Sequence, residues 1–343
     1  MMHFVLNVAG LLVLLLMLGC ASETSNGSIS PAGDECGDRC VGMVRIPAGS
    51  VLLGSPSDEG TIREHPQQLI HLDHTYWIDR YEVTNAQYRE FLLQHGNVCV
   101  LSGVEYPCHD CFEFAKDDSG LDCDLGFAIK NQCQASPFGS SDQSCSNHPV
   151  VNITPAGAAE YCRWLGKSLP SEAEWERAAN GPSDSMGEPW RRFPWGSRCP
   201  EDFNQTGDAL VGDLRVCEAD PWSASSALAN CDESSCRDGF DATSPVGFFP
   251  GGDSPEGVSD LSGNVLERVA DCYHDDYSRG GGPPASGLPW TTDCKLSFTI
   301  ARGSGFGDPG AALRSRARTD EVAADSADPD VGFRCVVRIS RRG

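Results

Sequence analysis

The chain is short of positive charge. Its 343 residues carry 26 Lys and Arg against 49 Asp and Glu, a formal net charge of −23. That balance argues against nucleic acid as a partner, because such binding depends on neutralising phosphates with cationic side chains. An acidic surface ordinarily serves solubility; cation binding is the sharper reading. The chain has no G-x-S-x-G elbow and no phosphate-cradling glycine loop, so neither hydrolase nor nucleotide chemistry of those types is indicated. No cysteine lies between Cys294 and Cys335, and no Lys or Arg precedes the apolar run His3 to Gly19.

That apolar run is short for a membrane span, which needs about 20 residues. It ends in Met17-Leu18-Gly19-Cys20 and resembles a bacterial lipoprotein signal with Cys20 as the lipid-accepting residue. Met17 stands where leucine is usual. Residues 1–20 therefore read as a signal peptide. Residues 21–42, rich in Ser, Gly, Asn and Pro, read as a flexible tether. The expectation is an exported protein, anchored to a membrane by lipid. Ala21 follows Cys20, so no aspartate is present there for inner-membrane retention. That favours the outer membrane or cell surface of a bacterium.

Cysteine usage agrees with export. Of 17 cysteines, setting Cys20 aside leaves an even number that can pair fully. Reducing compartments rarely support so many. Each disulfide stabilises by about 2–4 kcal/mol. A hydrophobic content of 40% is ample for a core. Length alone allows two domains, but motifs spread along the chain and point to one large domain after the leader.

The chain is organised around residues 147–181, NHPVVNITPAGAAEYCRWLGKSLPSEAEWERAANG. Val150, Val151 and Ile153 suggest a short buried strand. Thr154 is an N-cap with Pro155 in the first turn; Ala158, Cys162 and Leu165 share a helical face, and Gly166 can end it. Ser171 and Glu174 form a capping-box pattern opening a second helix, with Trp175, Ala178 and Ala179 inward and Asn180-Gly181 as the stop. Met43 to Leu53 reads as strand, turn, strand. Residues 65–83 alternate as strands do. Thr84 caps a helix running to about Leu93. His71 and His74 point to opposite faces of a strand, so they are not a metal pair. Residues 96–146 and about 208–236 read as cysteine-rich insertions, with Cys108 and Cys111 each in a disulfide of open pairing rather than half a zinc site.

The stretches HPVVNI, AAEYCRWLGKSLPSEAEWERAANG and FPWG (Phe193–Gly196), with YEVTNAQYREFL, GNVLERV and ARGSGF, resemble the formylglycine-generating enzyme (sulfatase-modifying factor) family. The resemblance spans Met43 to about Arg338 and implies an α+β, C-type-lectin-like fold with little regular secondary structure, disulfide-rich here, over residues 43–340. It implies a disulfide between Cys162 and Cys335. It also implies two structural calcium sites: Asn204 and Asp238 with the carbonyls of Gln205 and Phe240, and Asp260 and Glu267 with the carbonyls of Gly263 and Val265. Oxygen ligands of this kind suit a hard cation.

Enzymes of the family oxidise a cysteine to formylglycine with copper held by two thiolates, as a soft ion requires. Here the corresponding segment, GDPGAALRSRARTD from Gly307 to Asp320, has no cysteine. Copper is not expected, and no residue is assigned a catalytic role. The family's inner disulfide positions fall near Ala179 and Ser315, and both cysteines are absent together. The histidines that non-haem iron relatives draw from a helical bundle have no counterpart before Met43. The leading expectation is a tethered lipoprotein with a non-catalytic binding or structural role. Its groove would take a peptide or protein ligand, with Arg302, Ser304, Phe306 and Arg314 as candidate lining. The alternative is a formylglycine-generating-type oxidoreductase, or a related non-haem metal enzyme, whose metal site has moved to Cys272 or Cys294.

Overall fold

The computed structural model describes residues 36–94, 98–101, 104–107, 145–183, 191–196, 228–232, 238–295, 297–318, 322–323 and 326–339. The signal with Cys20, the tether as far as residue 35, most of both insertions, Asn204 and Gln205 lie outside them.

Alternating burial builds the first strands. In β4 (Thr75–Asp79), Tyr76 and Ile78 turn inward while their neighbours are half-exposed. The sequence Met43 to Leu53 forms β1 (Met43–Ile46) and β2 (Gly49–Leu53), but the two do not form a hairpin. β1 pairs antiparallel with β4, and β2 with β3 (Gln68–Leu72). Burial explains the split: Ile46, Val51, Leu53, Ile70, Leu72, Tyr76 and Ile78 all enter one apolar cluster. Two small sheets therefore close over the same core. On the other edge of β4 runs β11 (Val336–Ile339), near the end of the chain. Val98–Leu101 (β5) and Val104–Pro107 (β6) form a separate antiparallel pair.

A second sheet has β7 (Leu266–Cys272) between β10 (Val331–Phe333), which is parallel to it, and β8 (Phe298–Arg302), which is antiparallel; β9 (Val322–Ala323) extends β8. Three α-helices occur among the described residues: α1 (Asn85–Gln94), α2 (Pro155–Trp164) and α3 (Glu172–Asn180).

The local signals hold where they are local. Thr154 Oγ1 accepts the Gly157 N–H at 3.1 Å at the start of α2. Gly166, at φ +68°, follows its C-cap in the left-handed region. α2 packs against α1 and β10 through rings: Tyr161 lies 5.5 Å from Phe91 and 5.4 Å from Phe333, centroid to centroid. Cys162 and Cys335 are disulfide-bonded, tying α2 to the turn between β10 and β11. Val150, Val151 and Ile153 are buried as expected but are not a strand. Asn152 takes φ +59° among them, which breaks an extended run, and the segment keeps just one bridge, Pro149 to Thr84.

The folded unit also begins before Met43. Gly37–Cys40 is a turn of 3-10 helix, closed by a Cys36–Cys40 disulfide and packed on Met43 and Val337. The architecture is α+β, with few helices, short strands and several disulfides. No helix among the described residues is long and apolar enough to cross a membrane.

Candidate functional site

α3 positions the site. Its capping box is formed: Ser171 Oγ accepts the Glu174 N–H at 3.0 Å, and Glu174 Oε2 accepts the Ser171 N–H at 2.7 Å. Glu172 and Glu176, one turn apart, then project to the same side. Arg302, fully buried at the end of β8, joins them through Nη1 to Glu172 Oε1 at 2.8 Å and Nη2 to Glu176 Oε2 at 2.5 Å. Glu172 Oε1 also receives Tyr277 Oη and Arg318 Nε, each at 2.9 Å. Burial alone would raise the Glu172 carboxyl, but Arg318 and Arg302 hold it below the ordinary value. Burial works against the charge of Arg302 too, and Glu176, Tyr277 and Glu172 hold its proton more tightly than usual. On the other side of α3, Glu174 takes His74 Nε2 at 2.8 Å and Arg338 Nη2 at 2.5 Å.

From Arg302 the chain turns sharply. Gly303, at φ +103°, passes the Trp175 ring so closely that a Cβ there would lie 3.1 Å from the indole. Ser304 follows at φ +66°. After a 3-10 turn at Gly310–Leu313, alternate residues Arg314, Arg316 and Arg318 all bury their side chains. Arg314 makes a two-pronged pair with Glu64, Nη1 to Oε2 at 2.8 Å and Nη2 to Oε1 at 2.9 Å. Burial opposes the Glu64 charge, and Arg314 more than offsets it, lowering the carboxyl. Arg316 Nη1 donates to Arg191 O at 2.8 Å. Phe193 and Trp195 stack with centroids 4.9 Å apart and pack with Leu313 beside this segment.

The four groove candidates therefore differ. Arg302, Ser304 and Arg314 are buried, and the two arginines are committed to glutamates. Phe306 is half-buried, with its N–H on Asn264 O at 2.8 Å. Ala179 and Ser315 are both fully buried, and Ser315 Oγ has no hydrogen-bond partner.

The residues marked for calcium fall in two places. Asp238 sits on the Cys231 and Phe240 N–H groups, both at 2.8 Å, while Asn204 and Gln205 lie outside the described residues. In the second set, Glu267 receives Arg334 at 2.6 Å on each oxygen and the Trp175 indole N–H at 2.8 Å. Asp260 accepts the Gly247 N–H at 2.5 Å, and burial pushes its carboxyl up to about 6. The sequence did not single out Glu82, which joins this set. It is 1% exposed, its Oε1 has no partner, and burial, then Asp260 and Glu267, raise it well above the usual range. Three buried carboxyls thus face one buried cation, Arg334. Burial favours the neutral form of Asp260 and Glu82, and Arg334 already occupies both Glu267 oxygens, so Glu82 Oε1 is the open oxygen for a hard divalent ion. Among the described residues no three His, Cys, Asp or Glu side chains are arranged to hold a metal, so such an ion would lean on the Gly263 and Val265 carbonyls.

Cys36, Cys40, Cys145, Cys162, Cys231, Cys272, Cys294 and Cys335 are all disulfide-bonded. Cys272 and Cys294, the alternative metal ligands, are bonded to each other.

A family profile described as the sulfatase-modifying factor enzyme 1-like domain matches residues 30–339. The chain belongs to this family. It is 28% identical to a formylglycine-generating enzyme of Mycobacterium tuberculosis, over 86% of this chain and 97% of that one. It is 27% identical to a protein of Mus musculus named inactive C-alpha-formylglycine-generating enzyme 2, over 87% of this chain and 86% of that one. Among solved structures, PvdO from Pseudomonas aeruginosa superposes with a TM-score of 0.57 at 27% identity, covering 86% of this chain and 93% of that one. This sulfatase-modifying-factor domain is thus similar to relatives of both kinds, named for the activity and named for its loss.

The glutamates and arginines around α3 were largely missed by the sequence reading. The signals present were the Glu172/Glu176 spacing and the alternation Arg314, Arg316, Arg318.

Proposed function

We propose that this protein is an exported lipoprotein, tethered through Cys20, whose formylglycine-generating-enzyme-like domain binds a peptide or protein segment without oxidising it. One observation carries the reading. The segment from Gly307 to Asp320, where the enzymes hold copper between two thiolates, offers no sulfur, and its Arg314, Arg316 and Arg318 turn inward onto glutamates. A guanidinium cannot replace a thiolate on a soft ion. The disulfide between Cys272 and Cys294 speaks against a relocated thiolate site. Trp195, half-buried in its stack on Phe193, leaves part of its indole for a bound segment.

In this reading Asp260 and Glu267, with the nearby carbonyls, hold a structural calcium ion. Metal analysis of the purified chain should find calcium and no stoichiometric copper or iron. The decisive experiment is aerobic incubation with copper and a Cys-x-Pro-x-Arg peptide, read by mass. Recovery of the unmodified thiol is expected. Conversion of that cysteine to the aldehyde would overturn the proposal in favour of the oxidoreductase.

A further inference from the structure

The leader joins the folded domain at Cys36, and the surface around that point is unlike the rest of an acidic chain. Cys36 and Cys40 close a turn that packs on the sheet β1–β4–β11, against Met43, Val337 and the half-buried Trp77 and Ile339. The pleat explains which side it covers. Val44 and Ile46 turn toward the main core, so Met43 and Arg45 turn away from it. Arg45 lies opposite Trp77, and Trp77 opposite Val337. A cation, an indole and an aliphatic side chain thus form one row across the three strands. Val41, just past the disulfide, is 79% exposed, the most exposed large apolar side chain among the described residues.

Charge on this face also departs from that of the whole chain. Arg39 and Arg45 are exposed, and neither has a carboxylate partner among the described residues. Arg39 reaches the Gly166 carbonyl, at 3.4 Å. Asp79, also on this face, is committed to Lys167 at 2.6 Å and to the Cys335 N–H at 2.9 Å. Asp38 is the exposed carboxylate of the turn itself.

On the premise that Cys20 is acylated, as proposed above, we infer that Arg39, Val41, Arg45 and Trp77 dock on an anionic phospholipid surface and fix how the domain stands on its membrane. Residues 21–35 separate Cys20 from Cys36. A chain rich in Ser and Gly spans about 20–25 Å over that length, and a domain of about 300 residues has a radius of gyration of about 19 Å. The face bearing Cys36 is therefore the one an anchor holds nearest the bilayer. Electrostatics select the same face. Anionic headgroups repel an acidic body within a Debye length, about 8 Å at physiological salt, and attract arginines that have no carboxylate of their own. An indole flanked by arginine suits the headgroup layer, and an exposed valine beside it suits the apolar edge beneath.

The test is hydroxyl-radical footprinting of the full lipidated chain reconstituted in vesicles, read residue by residue by mass. With phosphatidylglycerol in the vesicles, Val41 and Trp77 should be oxidised about threefold more slowly than on pure phosphatidylcholine, and about 1 M salt should remove the difference. Arg45→Glu and Val41→Asp, both at exposed positions, should lose the protection while the chain stays on the vesicle. Arg279→Glu, at an exposed arginine on the connection between β7 and β8, should keep it. The mass of the N-terminal peptide separates the anchor from the docking. An unacylated Cys20 overturns the anchor and the docking with it. An acylated, vesicle-bound chain whose Val41 and Trp77 react equally on both lipids overturns the docking alone. Protection that appears without vesicles and grows with protein concentration would assign the face to a second copy of the chain and overturn the docking too.

Discussion

Two helices of nearly equal length meet the core by opposite means. α2 buries Ala158, Tyr161 and Cys162 and rests on rings and a disulfide. α3 is buried along its whole length, including Glu172, Glu174, Glu176 and Arg177. Apolar contacts tolerate small changes of shape, because dispersion has little direction. Buried charges do not, since each needs its partner in place. The charged helix carries Glu172 and Glu176, the partners of Arg302, so rigidity is concentrated around that cluster.

Breaking the α3 side should have the largest effect. Arg302→Met strips the shared cation from Glu172 and Glu176 and should cost about 3–5 kcal/mol, measured by urea unfolding. Phe91→Leu on the α2 side should cost less than about 1.5 kcal/mol. Equal losses would erase the contrast. Next comes the covalent tie: replacing Cys162 and Cys335 together by alanine should cost about 2–4 kcal/mol, measured by the same urea unfolding.

The third prediction is pH dependence, specific to the charged side. Hydrogen bonding to Glu174 raises the His74 imidazole above its ordinary value despite burial. Its contribution is complete below about pH 6.5 and fades as pH rises through the folded value. Burial, then repulsion by Glu172, pushes Asp271 up to about 7. Stability stored in its neutral form is complete below about pH 4 and is likewise lost as pH rises through the folded value. Unfolding midpoints should therefore decline from mildly acidic to neutral pH, and His74→Gln or Asp271→Asn should each flatten part of the slope. A slope unchanged in both variants would remove these groups from the account. The smallest effect is expected at Ser315→Ala. Removing a buried hydroxyl without a partner should stabilise by up to about 1 kcal/mol; a clear loss of stability would mean the hydroxyl is bonded.

How far the sequence could be read depended on how local each feature was. The caps of α2 and α3 were legible because Thr154, and Ser171 with Glu174, act within one turn. The pairing of β1 with β4 and of β2 with β3 was not, since nothing inside Met43 to Leu53 names a partner. The absence of cysteines from Gly307 to Asp320 was legible. What replaced them was not: charged residues read by default as surface, and Arg302 meets Glu172 at 130 positions' separation while Arg314 meets Glu64 at 250. Chemistry assembled from such distances appears once the chain is folded.

α3 is gripped on both flanks, by Arg302 and Arg318 on one and by His74 and Arg338 on the other. A rod held this way can neither roll about its axis nor slide along it without parting several opposite charges at once. It makes a poor lever. A change elsewhere that requires α3 to move would have to break those pairs first.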